Sequence, residues 1–246
     1  MKFILSLLSV FIISAATATV HAESDYDRQQ KKAERFFDNE EWASANAMYI
    51  LMLEQDPKST PVYARSIVAN IMNGDTLRAL EIVPQAMNNE VPFDSLMTDV
   101  RKVSFSIGHG DLYENYLLGI KNSFPWLSRV ADNYLMQYYS FRKNGPELVR
   151  YARTMLAGLP DNRNFLRMLA QGELLSGNTG NALKTWLKVV SLNPDDYQTI
   201  LDLANCYDAQ GDNHEAFRWM KRAYELHPTP YVETRIDALG KILSLQ

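Results

Sequence analysis

The amino-acid sequence predicts an all-α solenoid of antiparallel helix pairs, about six in number, with a capping helix at the C-terminal end. Pro160, Pro194 and Pro228 stand 34 residues apart, and the same order of small, bulky and turn-forming residues recurs between them. Such a period is typical of helical-hairpin arrays. Each hairpin leaves one apolar face uncovered, so neighbouring hairpins must stack to bury it.

The unit over residues 197–230 shows how the sequence builds one hairpin. Apolar residues three or four apart share a helix face, and they form two stripes: Ile200, Leu203, Ala204 and Tyr207, then Ala216, Met220 and Ala223. The small alanines allow two helix axes to approach to about 8–10 Å. Gly211 between the stripes permits a left-handed turn, and Pro228 ends the second helix because it has no amide hydrogen to donate.

The unit before it, over residues 163–196, follows the same plan and departs from it only at Glu173. Both units resemble tetratricopeptide repeats. A third resembling unit near the N-terminus is marked by Ala33, Phe36, Trp42, Ala45, Tyr49 and Pro57. The resemblance implies a right-handed superhelix whose concave surface is lined by the first helix of each repeat.

The pattern weakens in the middle of the chain, but its phase persists. We expect one domain over residues 23–246, with repeats at 26–59, 60–93, 94–128, 129–162, 163–196 and 197–230 and a capping helix at 231–246. Tyr113 and Leu148 replace a small residue in the second helix of their repeats, and Pro84 falls inside a helix. We therefore expect a bend, wider helix spacing, or both, around residues 80–125.

Residues 1–22 have the pattern of a secretory signal peptide. Lys2 precedes an apolar run over residues 3–13, and Val20 and Ala22 are the small residues that a signal peptidase requires. An uncleaved membrane anchor is the alternative, but the run is shorter than the roughly 20 residues that span a bilayer. We expect a mature protein without a membrane span, in the periplasm or secreted.

Composition points away from nucleic acid and from disulfide chemistry. The formal net charge is −4, and loss of Lys2 with the signal peptide makes it one unit more negative. Nothing in the sequence forms a basic stripe. Cys206 is the single cysteine, so no intramolecular disulfide can form, and we interpret it as a small core residue.

The resemblance implies a protein or peptide ligand along the concave surface. By register the candidate binding residues are Asn133, Tyr134, Gln137, Phe141, Arg167, Gln171, Asp202 and Asn205. Carboxamides both donate and accept hydrogen bonds, so those among these residues could pair with a peptide backbone without reading its sequence. The aromatic residues could anchor a partner.

Each of these interpretations has an alternative. The amides could simply form a solvated helix face, and the aromatic residues could pack between repeats, as we expect of Tyr139. Some members of the family clamp a ligand carboxylate with basic residues. Asp202 argues against such a clamp because it would repel the ligand's charge, and we expect Arg167 to pair with Asp202 or with an acidic ligand group.

The sequence offers no pattern for catalysis, a metal or a cofactor. His109, His214 and His227 have no metal-ligand or acid-base partners at motif spacing. There is no nucleophile elbow and no phosphate-binding loop. We therefore expect a non-enzymatic protein with no cofactor and no metal.

Two functions remain as hypotheses. The first is an exported adaptor, scaffold or assembly factor that holds another protein in its concave groove. The second is a carbohydrate-recognising or enzyme-accessory protein of the cell envelope, which is favoured if the aromatic residues form an exposed flat platform.

Overall fold

The computed structural model describes residues 24–244, so the predicted signal peptide over residues 1–22 lies outside the described part. Between residues 24 and 244 the chain forms thirteen α-helices and one short 3-10 turn, with no β-strand. The first twelve helices form six successive hairpins, and a single helix follows them. The prediction of an all-α solenoid is confirmed.

The bounds of the helices repeat with a nearly constant length. The first three pairs are α1 (Asp25–Asp38) with α2 (Trp42–Gln55), α3 (Thr60–Met72) with α4 (Thr76–Asn88), and α5 (Phe93–Ser106) with α6 (Gly110–Ser123). The 3-10 turn Pro125–Leu127 then leads into α7 (Ser128–Phe141) with α8 (Gly145–Gly158), α9 (Arg163–Leu175) with α10 (Thr179–Leu192), α11 (Tyr197–Gln210) with α12 (Asn213–Leu226), and α13 (Pro230–Ser244). No helix of the described range is long and apolar enough to cross a lipid bilayer.

Each pair is joined by a turn with one residue in the left-handed region of φ. In four pairs this residue is a glycine with φ between 76° and 83°, namely Gly74, Gly108, Gly177 and Gly211. The left-handed turn predicted at Gly211 is therefore present. In the other two pairs Glu40 and Lys143 take the same conformation, at φ of 61° and 54°. A side chain at this φ is strained, since its Cβ crowds the backbone.

Alanines form the contact between the helices of the C-terminal pairs, as their size predicts. Ala204 of α11 and Ala216 of α12 are both fully buried. The pair α5 and α6 differs, because its second helix carries the buried ring of Tyr113 where a small residue was expected. These two helices pack against each other less extensively than those of the other pairs. The bend or wider spacing expected around residues 80–125 stays a prediction. Helix α4 continues through Pro84.

Two apolar clusters fill the interior and meet at α9. The first extends from Ala33 to Leu169, and the second extends from Leu166 to Leu239, with Leu156 packed against both. Helix α13 packs on α12 and buries Val232 and Leu239 completely. The end of the solenoid is thereby covered, as a stack of hairpins requires.

Candidate partner-binding groove

A groove of about 800 Å³ runs across α7, α9 and α11, which we call the inner helices. Its lining residues are Asn133, Met136, Gln137, Asn162, Asn164, Phe165, Arg167, Met168, Gln171, Leu174, Trp186, Asp202, Asn205, Cys206 and Ala209. Eight of these side chains are polar and seven are apolar. The groove thus offers both hydrogen-bonding groups and an apolar floor.

Six of the eight residues predicted to bind a partner line this groove. They are Asn133, Gln137, Arg167, Gln171, Asp202 and Asn205. Gln137, Gln171 and Asn205 are spaced by 34 residues, the repeat period, so they occupy the same position on three successive inner helices. The repeat period therefore places equivalent amide side chains in a row across α7, α9 and α11.

The amide groups in the groove retain unused hydrogen-bonding capacity. The Ser140 hydroxyl donates to Gln171 Oε1 at 3.0 Å, and the Tyr231 hydroxyl donates to Asn205 Oδ1 at 3.0 Å. Both contacts engage the oxygen and leave the amide nitrogen without an acceptor among residues 24–244. Asn133 and Gln137 make no side-chain hydrogen bond to any described residue. Each of these groups can therefore donate to a bound ligand.

Arg167 and Asp202 are the charged residues of the groove lining, and Asp196 lies beside Arg167. Arg167 lies 3.5 Å from Asp202 and 3.8 Å from Asp196, measured between side-chain nitrogen and oxygen. The pairing of Arg167 with Asp202 that the sequence predicts is present. Gln198 Nε2 donates to Asp202 at 2.9 Å, and Thr199 Oγ1 donates to Asp196 at 2.7 Å. Burial raises the pKa of the Asp202 carboxyl, because the loss of water around the carboxylate outweighs the stabilisation of its charge by Gln198 and Arg167.

The apolar floor contains residues that the sequence analysis did not assign to binding. They are Met136, Phe165, Met168, Leu174, Trp186 and Cys206. Cys206 was interpreted as a core residue, and it is indeed 2% exposed, while Trp186 is 4% exposed. Burial raises the pKa of the Cys206 thiol to about 11, so this cysteine remains protonated at neutral pH. Cys206 directly follows Asn205, and this adjacency is the signal that could have assigned it to the groove floor.

Trp186 carries one of the few unsatisfied buried groups of the described residues. Its indole Nε1 is buried and has no hydrogen-bond partner within residues 24–244. A buried donor without an acceptor costs free energy of folding, typically about 1–3 kcal/mol. The groove floor is therefore less stable than an all-apolar floor of the same shape.

Tyr134 and Phe141, the other two predicted binding residues, do not line the groove. The Tyr134 hydroxyl donates to Asp94 at 2.7 Å, and its ring packs on Phe93 edge to face with centroids 6.0 Å apart. Burial, together with the Asp94 carboxylate, raises the pKa of Tyr134. Phe141 is 66% exposed, and its ring meets Phe105 edge to face at 5.4 Å.

The aromatic residues of α7 do not form a flat exposed platform. Tyr138 and Tyr139 are buried, which confirms the core position expected of Tyr139. Tyr139 stacks on Tyr151 with centroids 5.4 Å apart, and its hydroxyl donates to Glu114 at 2.5 Å. The condition that would favour carbohydrate recognition is thus not met at this helix.

The histidines are dispersed in the described structure. His109 precedes α6, and His227 follows α12, where its ring lies 5.3 Å from that of Tyr197. Across residues 24–244 no three His, Cys, Asp or Glu side chains come together in an arrangement that could hold a metal ion. The groove contains acceptors, donors and one thiol of raised pKa, but no nucleophile beside a base.

Comparison with known proteins identifies the fold. No protein-family model and no curated protein matches the sequence.

Among solved structures, the pilus biogenesis factor PilW is similar to the chain with a TM-score of 0.52 and 14% identity, over 87% of this chain and 99% of that one. A structure of Naa15/Naa10 bound to HypK-THB gives a TM-score of 0.51 and 13% identity, over 90% of this chain but 35% of that one. The C-terminal part of a TPR repeat-containing protein from Cytophaga hutchinsonii gives a TM-score of 0.49 and 16% identity, over 80% and 78%. The chain has an all-α, tetratricopeptide-like solenoid fold.

Proposed function

We propose that the protein is a non-enzymatic binding module whose groove holds an extended segment of another protein. The row of amides at Gln137, Gln171 and Asn205 is the observation that carries this proposal. A peptide backbone offers carbonyl oxygens at regular intervals, and amide nitrogens without an acceptor are suited to bind them. The apolar floor beneath the row would receive side chains of the same segment.

The dimensions of the groove support this proposal. The groove spans three hairpins, so a short rigid molecule would contact only part of it. An elongated ligand uses all three inner helices at once.

The biological role that we infer is that of an adaptor, scaffold or assembly factor in the cell envelope. The pattern of residues 1–22 supports export, with the periplasm as the compartment or secretion as the alternative. The solenoid supports the adaptor role, since such folds present extended surfaces to other proteins.

Affinity capture from envelope extract of the native host tests the proposal. The protein should recover a dominant partner, and the double substitution Gln171→Ala with Asn205→Ala should abolish that recovery. Asn122→Ala with Asn181→Ala is the matched control, because both residues are exposed amides outside the groove lining. Equal recovery by the groove variant, or binding to a glycan array with no protein captured, would refute the proposal.

A further inference from the structure

We propose that the segment bound in the groove presents a basic side chain, lysine or arginine, next to apolar side chains. This inference rests on the proposed function and specifies the chemistry of the partner. Its basis is the charged cluster around Arg167, a lining residue that is matched against Asp202 of the lining and against Asp196, which lies beside it outside the lining. The groove lining holds no lysine and no second arginine. Arg167 and Asp202 balance each other within the lining, and the adjacent Asp196 leaves the cluster of three with one negative charge in excess.

The carboxylates are incompletely paired by Arg167. Distances of 3.5 Å and 3.8 Å exceed the roughly 2.7–2.9 Å of a charge-assisted hydrogen bond, so the guanidinium lies between the two carboxylates without bonding firmly to either. The neutral donors Gln198 and Thr199 each supply one hydrogen bond. A carboxylate accepts about four. Asp202, which lines the groove, therefore retains capacity for a cation from the ligand, and the nearby charge of Asp196 favours the same cation.

Asp202 is partly buried, and this makes its unused hydrogen-bonding capacity important for binding a cation. The side chain of Asp202 is 28% exposed, so water compensates its charge only in part. A ligand ammonium or guanidinium placed beside it would restore the lost solvation. An acidic ligand would meet Asp202 in the groove, with the charge of Asp196 nearby, and would be repelled.

The apolar floor next to this charged cluster favours apolar side chains in the ligand residues beside the basic one. Arg167 is followed by Met168, and Phe165, Met136 and Trp186 belong to the same lining. Methionine side chains are flexible and fit apolar groups of varied shape. We expect aliphatic or aromatic residues to flank the basic residue in the partner.

Fluorescence anisotropy with three labelled decapeptides tests the inference. The peptides share the same leucine, methionine and serine residues, and their two central positions are both Lys, both Glu or both Gln. The protein is purified from cells that express the full sequence. We expect the Lys peptide to bind about fivefold tighter than the Gln peptide, with the Glu peptide weakest, and we expect this order to fade as salt rises.

Two variants of groove residues and one control variant identify the source of the preference for the Lys peptide. Asp202→Asn should remove most of the advantage of the Lys peptide, whereas Asp237→Asn, the same change at an exposed position of α13, should leave it intact. Arg167→Gln should strengthen binding of the Lys peptide, because the competing cation is lost. A site for acidic ligands would show the opposite response to Arg167→Gln.

The outcomes separate the inference from the proposed function. Equal or stronger binding of the Glu peptide, or an unchanged preference in Asp202→Asn, overturns the inference. If all three peptides bind equally and Gln171→Ala weakens all of them, the inference fails while the proposed function stands. If none of them binds, both are overturned.

Discussion

Gln171 and Asn205 occupy equivalent positions 34 residues apart, and each has its amide oxygen engaged by a hydroxyl from an adjacent helix. The hydroxyl is that of Ser140 on α7 for Gln171 and that of Tyr231 on α13 for Asn205. A fixed oxygen orients the amide, so its nitrogen is directed without the entropic cost of ordering it on binding. The two residues therefore form a prearranged pair of donors.

Removal of these hydroxyls should weaken binding without loss of the fold. In Ser140→Ala and Tyr231→Phe the amides become free to rotate, and we expect partner affinity to fall by roughly twofold to tenfold. The free energy of unfolding should change by less than about 1 kcal/mol for Ser140→Ala, since the site is not in the core. Titration of each variant with the captured partner measures the affinity, and urea denaturation measures the stability. Unchanged affinity in both variants would show that the hydroxyls do not orient the amides.

Overpacking at the helix contact tests the packing of α11 against α12. Ala204→Leu and Ala216→Leu insert a large side chain where each alanine is fully buried, and each should destabilise the protein by about 1–3 kcal/mol. Ala209→Leu serves as the control, because Ala209 is exposed on the same α11 helix. Urea denaturation of the three variants gives the comparison. Equal unfolding midpoints for all three would contradict the packing.

The left-handed turn at Lys143 predicts a stabilising substitution. Its φ of 54° suits glycine, so Lys143→Gly should raise the free energy of unfolding by up to about 1 kcal/mol. Lys143→Ala is the matched control, because it removes the same side chain and keeps the Cβ that causes the strain. Thermal denaturation should place the glycine variant above the alanine variant. The reverse order would show that the turn is not strained.

Because the indole nitrogen of Trp186 has no hydrogen-bond partner, we expect two substitutions of this residue to differ in their cost to stability. Trp186→Phe removes the buried donor and keeps most of the ring, so its cost should stay below about 1.5 kcal/mol. Trp186→Ala leaves a cavity and should cost about 3–5 kcal/mol. Chemical denaturation distinguishes the two. A cost for Trp186→Phe as large as that for Trp186→Ala would mean that the indole nitrogen has a partner.

The free energy of unfolding should depend on pH because of the titration of Asp202. Burial raises the pKa of this carboxyl above its ordinary value of 3.8, so the folded chain holds the proton more tightly than the unfolded chain does. Its contribution to stability is therefore greatest at low pH. This contribution decreases as pH rises from about 4 through the folded-state pKa of Asp202, and it is absent at pH values above that pKa.

Asp202→Asn removes this dependence, since asparagine does not titrate. The variant should have a higher urea midpoint than the unchanged protein at pH 7, and the difference should shrink towards pH 4. Asp237→Asn, on the exposed side of α13, should show no such trend. A constant difference between Asp202→Asn and the unchanged protein at all pH values would contradict the assignment.

The repeat period predicted the fold and most of the groove because it fixes where each residue faces. Gln137, Gln171 and Asn205 could be assigned to one surface from their spacing alone, and the structure brings all three to the groove. Small residues at the helix contact likewise predicted the hairpins. Tyr113, a large residue at such a position, lies in the pair of α5 and α6, which packs together less extensively than the other pairs.

The remaining features depend on contacts between repeats, which periodicity does not specify. Trp186 and Cys206 have the spacing of core residues, yet the adjoining hairpin leaves them at the floor of a groove. Tyr134 and Phe141 share a helix side with Gln137, but their rings pack on Phe93 and Phe105 of α5, and neither residue lines the groove. Such contacts join residues about 36–41 positions apart and depend on the shape of both helices.

Site-specific photocrosslinking in the native host tests the central claim most directly. A benzoylphenylalanine at position 171 lies in the groove, and one at position 181 lies on an exposed part of α10 outside the groove lining. We predict that irradiation joins position 171, but not position 181, to one protein through a segment with a basic residue flanked by apolar residues. Crosslinks of equal yield at both positions, or none at position 171, would contradict the account.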